Sequence, residues 1–180
     1  SFSAVLIGEG TLVLQCAASA LARGYLVRAL VSDGPDAERF AVEHGLNLMP
    51  PAALADQMAN VSCDYLFSIV NRVVLPESVL RCAARAAINY HDAPLPRYAG
   101  VHATSWAILA GEATHGITWH RLTGEIDAGD ILIQRSIPID ARETALSLNA
   151  KCYEAALASF GDLLDQLDRG DPLALPQDPA

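Results

Sequence analysis

Asn89 and His91 stand two positions apart at the end of the apolar run Ala86-Ala87-Ile88. In a strand, residues i and i+2 face the same way, so this spacing presents an amide and an imidazole side by side. Pro94, Pro96 and Gly100 then force the chain out of regular structure into a loop. A carboxylate returns in a second turn, Asp127-Ala128-Gly129-Asp130. Amide, imidazole and carboxylate converging at strand ends suit acyl transfer to an amine. An amine attacking an acyl carbon builds a tetrahedral oxyanion, to which an amide N–H and an imidazolium can each donate. Losing one such donor typically slows an enzyme by about 100–1000-fold. A carboxylate beside the imidazole favours its charged form and can accept a proton from the attacking ammonium. A plainer reading of the same residues stays open, in which Asn89 caps the strand end and His91 hydrogen-bonds a loop carbonyl.

The elements that must position these groups alternate along the chain. Residues 4–7 read as a short apolar strand and 11–23 as a helix stopped by Gly24. Residues 25–31 read as a strand, 36–44 as a helix with a Gly45 stop, and 46–49 as a brief strand before Pro50-Pro51. A short helix over 52–59, an apolar strand over 65–70 and a helix over 76–85 with proline at its start lead to the strand 86–91. Such alternation implies an α/β fold with a mostly parallel twisted sheet and helices on both faces. Ligands in these folds bind at the carboxyl ends of strands, where Asn89 and His91 fall. Beyond Gly100, residues 101–110 read as a helix on whose apolar stripe Trp106 lies. Residues 118–122 and 131–137 read as antiparallel strands joined by the Asp127 turn, and 144–167 as a helix with a break expected near Gly161. Residues 1–169 are thus expected to form one catalytic domain, and 170–180, with three prolines, a tail or linker.

Composition narrows the function. With 21 Asp and Glu against 12 scattered Lys and Arg, the chain lacks the clustered cations that hold phosphate backbones, which argues against a nucleic-acid partner. No stretch reaches the roughly 18 apolar residues of a membrane span, and the opening residues lack a leader pattern, so a cytoplasmic location is expected. Cys16, Cys63, Cys82 and Cys152 form no CxxC pair and sit at no metal-ligand spacing from a histidine; they read as small buried apolar residues in a reducing compartment. Gly8-Glu9-Gly10 after the first strand resembles a fragment of a dinucleotide fingerprint but lacks its third glycine, and reads more readily as a tight strand-to-helix turn. His120 shares a face with Thr118 and reads as a structural or supporting residue.

Several short motifs agree in order and spacing with one family. Asn89-Tyr90-His91, Leu95-Pro96-Arg97-Tyr98-Ala99-Gly100, Gly116-Ile117-Thr118 and Ile126-Asp127-Ala128-Gly129-Asp130 resemble the signature of the formyltetrahydrofolate-dependent formyltransferases. That family includes enzymes acting on methionyl-tRNA, glycinamide ribonucleotide and sugar nucleotides, as well as formylation domains of peptide synthetases. The resemblance implies a Rossmann-like catalytic domain that moves a formyl group from 10-formyltetrahydrofolate to a primary amine without a metal. Asn89, His91 and Asp127 fall on the family's catalytic positions.

By the same resemblance, the folate would lie against Arg72, Val73, Val74 and Leu75 and against the loop holding Ile126 and Asp130. The amine side would involve Gly8, Glu9, Gly10, Asp92 and Pro96. The sequence departs from the family's usual Ser-Leu-Leu-Pro-Arg-Gly loop at Ala93 and Ala99, which leaves that side poor in phosphate-binding groups. The expected acceptor is therefore a small-molecule or carrier-bound amine, and the expected context a domain of a nonribosomal peptide synthetase or similar assembly, with further domains in the same chain. Formyl-folate hydrolysis or formyl transfer to a thiol on this fold, and a non-catalytic folate-binding or docking module, are the alternatives.

Overall fold

In the computed structural model of the protein, which describes residues 1–170 and 174–177, the chain divides into two compact units, Ser1–Asn89 and Tyr90–Ala180. The first unit is built from alternation of strand and helix: β1 (Ser3–Gly8), α1 (Gly10–Ala22), β2 (Leu26–Val31), α2 (Pro35–His44), β3 (Leu48–Met49), a 3-10 turn (Pro51–Ala53), α3 (Leu54–Met58), β4 (Cys63–Ile69), α4 (Glu77–Leu80) and β5 (Ala83–His91), whose last two residues begin the second unit. These strands are parallel and lie in the order β3-β2-β1-β4-β5. The order reverses between β1 and β4, which makes their carboxyl ends the switch point where α/β folds form a ligand crevice.

Continuous apolar runs explain the central strands. Leu6, Leu30, Leu66, Phe67, Ile69 and Ile88 are fully buried, as expected of a parallel sheet covered on both faces. Full burial of one such side chain is worth about 1.5–3 kcal/mol. The end of β1 must be glycine for a different reason. Gly8 pairs with Ile69, and a Cβ at Gly8 would come 1.7 Å from the Ile69 carbonyl oxygen.

The second unit comprises α5 (Ala103–Leu109), β6 (Thr114–Arg121), β7 (Ile131–Pro138) and α6 (Ala145–Arg169). β6 and β7 are antiparallel as expected, with a register shift between Trp119 and His120. α6 starts at a capping box: Thr144 accepts from the Ser147 N–H, and the Ser147 hydroxyl accepts from the Thr144 N–H. Its buried stripe carries Leu148, Cys152, Phe160, Leu163, Leu164 and Leu167. Trp119 is sealed against it, donating its indole N–H to the Ser159 hydroxyl at 3.0 Å.

Four expectations need correction. The helix expected to run through Arg85 ends at Leu80, because Cys63 already pairs with Ala83 and draws residues 83–85 into β5. β6 begins at Thr114, four residues earlier than expected. α6 passes Gly161 unbroken; glycine inside a helix costs about 1 kcal/mol relative to alanine, and the buried stripe on both sides of it outweighs that. Trp106 is not core but 57% exposed, since the seven-residue α5 buries Ala103, Thr104 and Ala107.

The described part of the tail is attached. Leu175 and Ile131 exchange backbone hydrogen bonds at 2.8 and 2.9 Å, and the Gln177 amide donates to the carbonyls of Asp127 and Gly129. No helix among the described residues is long and apolar enough to cross a membrane.

Candidate active site

β5 delivers Asn89 and His91 at its carboxyl end, two positions apart on one strand. His91 is buried. Its Nε2 lies 3.0 Å from the Tyr98 backbone carbonyl. A carbonyl can only accept, so this nitrogen carries a hydrogen. The plainer expectation for His91, a bond to a loop carbonyl, therefore holds in the structure alongside the pairing described next.

Nδ1 of the same ring faces Asp127 Oδ2 at 3.7 Å. That is longer than a hydrogen bond and within ion-pair reach once the ring is charged. The other oxygen, Oδ1, lies 3.6 Å from His120 Nε2, whose ring Nδ1 sits 3.0 Å from the Arg121 carbonyl. Oδ2 also accepts the Gly100 N–H at 2.9 Å. Burial pushes the Asp127 carboxyl up, but His120, the His91 charge and the Gly100 N–H outweigh it and hold the group below the usual carboxylate range. The rings of His91 and His120 stand edge to face with centroids 6.4 Å apart.

The loop after β5 is anchored by residues that sequence reasoning assigned no role. The Thr118 hydroxyl donates to the Ala93 carbonyl at 2.7 Å and accepts from the Leu95 N–H at 3.2 Å and from Gln134 at 3.0 Å. Gln134 also donates to the Leu95 carbonyl at 2.9 Å. Further along, Tyr98 hydroxyl and the Arg97 guanidinium both reach Glu112. Pro96 follows a cis peptide bond after Leu95. The Asp92 carbonyl accepts from His115 Nε2 at 2.7 Å, and burial pulls the His115 pKa down.

Among the described residues, four that are not glycine hold left-handed backbone: Val70 (φ 53), Tyr98 (φ 58), His102 (φ 62) and Asp127 (φ 52). Such conformations cost on the order of 1–3 kcal/mol each and gather where a fold fixes functional groups. Val70 is the most costly kind, because it is β-branched. Its carbonyl accepts the Glu9 N–H at 3.2 Å. Here, at the switch point of the first unit, a small crevice of about 30 Å³ is lined by Gly8, Glu9, Val31, Pro51, Asn71 and Val73, among others.

Of the other residues singled out from sequence, Gly10 opens α1 and Glu9 precedes it. Arg72 sits 3.6 Å from Glu9 as an exposed ion pair. Val73 and Val74 are exposed, Val74 at 79%, whereas Leu75 is buried. Ile126 is 75% exposed, and the Asp130 carbonyl accepts the Arg121 N–H at 2.9 Å. His120 was visible from its face shared with Thr118. The Tyr98 carbonyl and Gln177 carry no signal in the sequence, because backbone acceptors and a lone amide near the end of a chain look like any others.

Parallel strands in 3-2-1-4-5 order, an antiparallel pair and a buried His91–Asp127 pair define an α/β protein of Rossmann type with a titratable site at a strand end. Residues 43–162, well over half of the chain, match the model of the formyl transferase family. The chain belongs to that family. The fold agrees with solved structures at low sequence identity. A glycinamide ribonucleotide transformylase from Symbiobacterium toebii superposes with a TM-score of 0.83 at 20% identity, over 98% of this chain and 94% of that one. An N-formyltransferase from Helicobacter canadensis, solved with folinic acid and dTDP-3-aminofucose, gives 0.84 at 17% identity, over 98% and 67%. A sugar 3N-formyl transferase solved with dTDP and 5-N-formyl-THF gives 0.83 at 21% identity; this chain spans 66% of its length.

Proposed function

We propose that the protein transfers a formyl group from 10-formyltetrahydrofolate to a primary amine. Membership of the formyl transferase family supports the reaction class. The buried pair of His91 and Asp127, 3.7 Å apart, carries the reading, because an imidazole beside a carboxylate is the kind of pair that chemistry uses. The formyl donor follows the two sugar-modifying relatives, which were solved with formyl-folate derivatives.

In the proposed reaction the amine nitrogen attacks the formyl carbon, forming a C–N bond and a tetrahedral oxyanion. Asn89 and charged His91 donate to that oxyanion. With Nε2 committed to Tyr98, the donating hydrogen of His91 is the one on Nδ1, shared between Asp127 and the oxyanion. The Asp127 carboxylate balances the imidazolium and takes a proton released by the amine. The bond from carbon to the folate nitrogen then breaks, and that nitrogen takes up a proton.

The folate lies against Arg72, Val73, Val74 and Leu75 and against Ile126 and Asp130; exposed Val74 and Ile126 offer apolar surface to a ring. Gly8, Glu9, Gly10, Asp92 and Pro96 serve the amine. The acceptor is a free or carrier-bound small amine rather than a nucleic acid, given 21 acidic against 12 basic side chains. The context is a domain of a nonribosomal peptide synthetase or a similar cytoplasmic assembly.

The test is mass spectrometry of candidate acceptors incubated with protein and 10-formyltetrahydrofolate. The panel holds free amino acids, carrier-bound amino acids, dTDP-amino sugars, glycinamide ribonucleotide and charged initiator tRNA. A one-formyl mass increment on an amine, lost in Asn89→Ala and His91→Ala, is expected. Consumption of the formyl-folate with release of formate and no acylated product would overturn transfer in favour of hydrolysis.

A further inference from the structure

The segment ending at Gln177 reaches the carboxylate loop, and one side chain meets that loop twice. The Gln177 amide nitrogen lies 2.7 Å from the Asp127 carbonyl oxygen and 2.7 Å from the Gly129 carbonyl oxygen. A carboxamide NH₂ has two hydrogens, one for each acceptor. The segment arrives in register: Leu175 pairs with Ile131 in an antiparallel bridge, which sets Gln177 opposite the turn two residues earlier. The turn it grips is a demanding one. Asp127 holds φ 52, and at Gly129 a Cβ would come 1.9 Å from the Arg121 carbonyl oxygen, so the chain is fixed tightly on both sides of Ala128.

We propose that Gln177 is a positioning residue for the reaction, acting through the backbone of Asp127 to hold its carboxylate between His91 and His120. The proposal rests on the function argued above. The side-chain contacts of Asp127 to His91, His120 and Gly100 N–H fix the carboxylate at its oxygens. Gln177 fixes it at the other end, through the carbonyl of the same residue. A misplacement of about 1 Å at a reacting group can cost a factor of about 100, so a support of this kind bears on turnover rather than on substrate affinity. Residues 174–177 are then part of the catalytic unit instead of a spacer beyond it.

The test uses the full chain carrying Gln177→Leu, which keeps bulk and removes both donors, and Gln177→Glu, which keeps shape and replaces the NH₂ by oxygen. Two readouts are taken on folded protein. In steady-state kinetics, both variants are expected to lose kcat by about tenfold or more, with KM for amine and formyl-folate within about twofold of wild type. In NMR titrations, the His91 and His120 ring signals of both variants are expected to titrate differently from wild type, because the carboxylate between them has moved. Wild-type kcat together with unchanged titrations would overturn the proposal. So would a loss of activity that tracks only the loss of folded protein. If the wild-type chain formylates no amine, the functional reading fails, and the histidine titrations alone decide whether Gln177 places Asp127.

Discussion

The backbone N–H of Gly100 donates to Oδ2 of Asp127 at 2.9 Å, tying the loop after β5 to the turn between β6 and β7. Both partners have positive φ, 94 for Gly100 and 52 for Asp127. Glycine takes such a φ freely, whereas Asp127 takes it only where bonds to its surroundings hold it. Thr118 and Gln134 clamp the first loop, and Gln177 clamps the second. The result is a carboxylate held below the usual range in a largely buried place, with two imidazoles flanking it.

Alanine at Asn89 or His91 is expected to lower kcat by about 100-fold or more each. Folate affinity, measured by fluorescence titration with a non-reactive analogue, should change little. Near-wild-type turnover in either variant would remove that residue from the proposed site.

Asp127 allows charge and backbone to be separated. Asn tolerates left-handed backbone and Ala does not. Asp127→Asn should therefore abolish most turnover while losing only the stability carried by the charge. Asp127→Ala should lose turnover and also about 1–3 kcal/mol of stability, read by urea denaturation. The depressed carboxyl also has a pH signature. Its stabilising effect is complete above the ordinary carboxylate value and is lost as the pH falls below about 4 through the lowered folded value. The acid limb of the stability curve should be shallower in Asp127→Asn.

His115 gives the opposite kind of handle. Burial lowers its pKa, so the folded protein binds its proton less readily than the unfolded chain. Stability is then fully present above about pH 6.5 and declines as the pH falls below it toward the folded value. His115→Gln, which keeps a donor for the Asp92 carbonyl, should flatten that decline. An unchanged slope between pH 6.5 and 5 would show that the ring titrates normally.

Salt should weaken binding of the true acceptor only modestly. A polyanion held by several cations would lose orders of magnitude of affinity between low and moderate salt. Efficient formylation of charged initiator tRNA with that steep dependence would overturn the small-amine reading and leave the transfer chemistry standing.

The strand end carrying Asn89 and His91 was legible because a short apolar run stopped by prolines has few other solutions. The Asp127 turn was legible from its Asp-Ala-Gly-Asp spelling, and the parallel sheet from strand and helix alternation. Trp106 was misread because an apolar stripe does not say which side of a two-turn helix finds a partner. The end of α4 was missed because pairing of Cys63 with Ala83 overrode the local helical preference of an alanine-rich stretch. The grip of Gln177 on Asp127 depends on a β-bridge across more than forty residues, which no local pattern announces.

The bond from His91 to the Tyr98 carbonyl makes the imidazole a relay with one door. Turning the ring over would set Cε1 against that oxygen and Cδ2 toward Asp127, forfeiting both polar contacts. The two contacts therefore fix the ring's orientation, and in the proposed reaction any hydrogen it hands over would leave and return by Nδ1. In the proposed reaction, a hydrogen passing through His91 would run along a single line, between Asp127 and whatever occupies the space beside it.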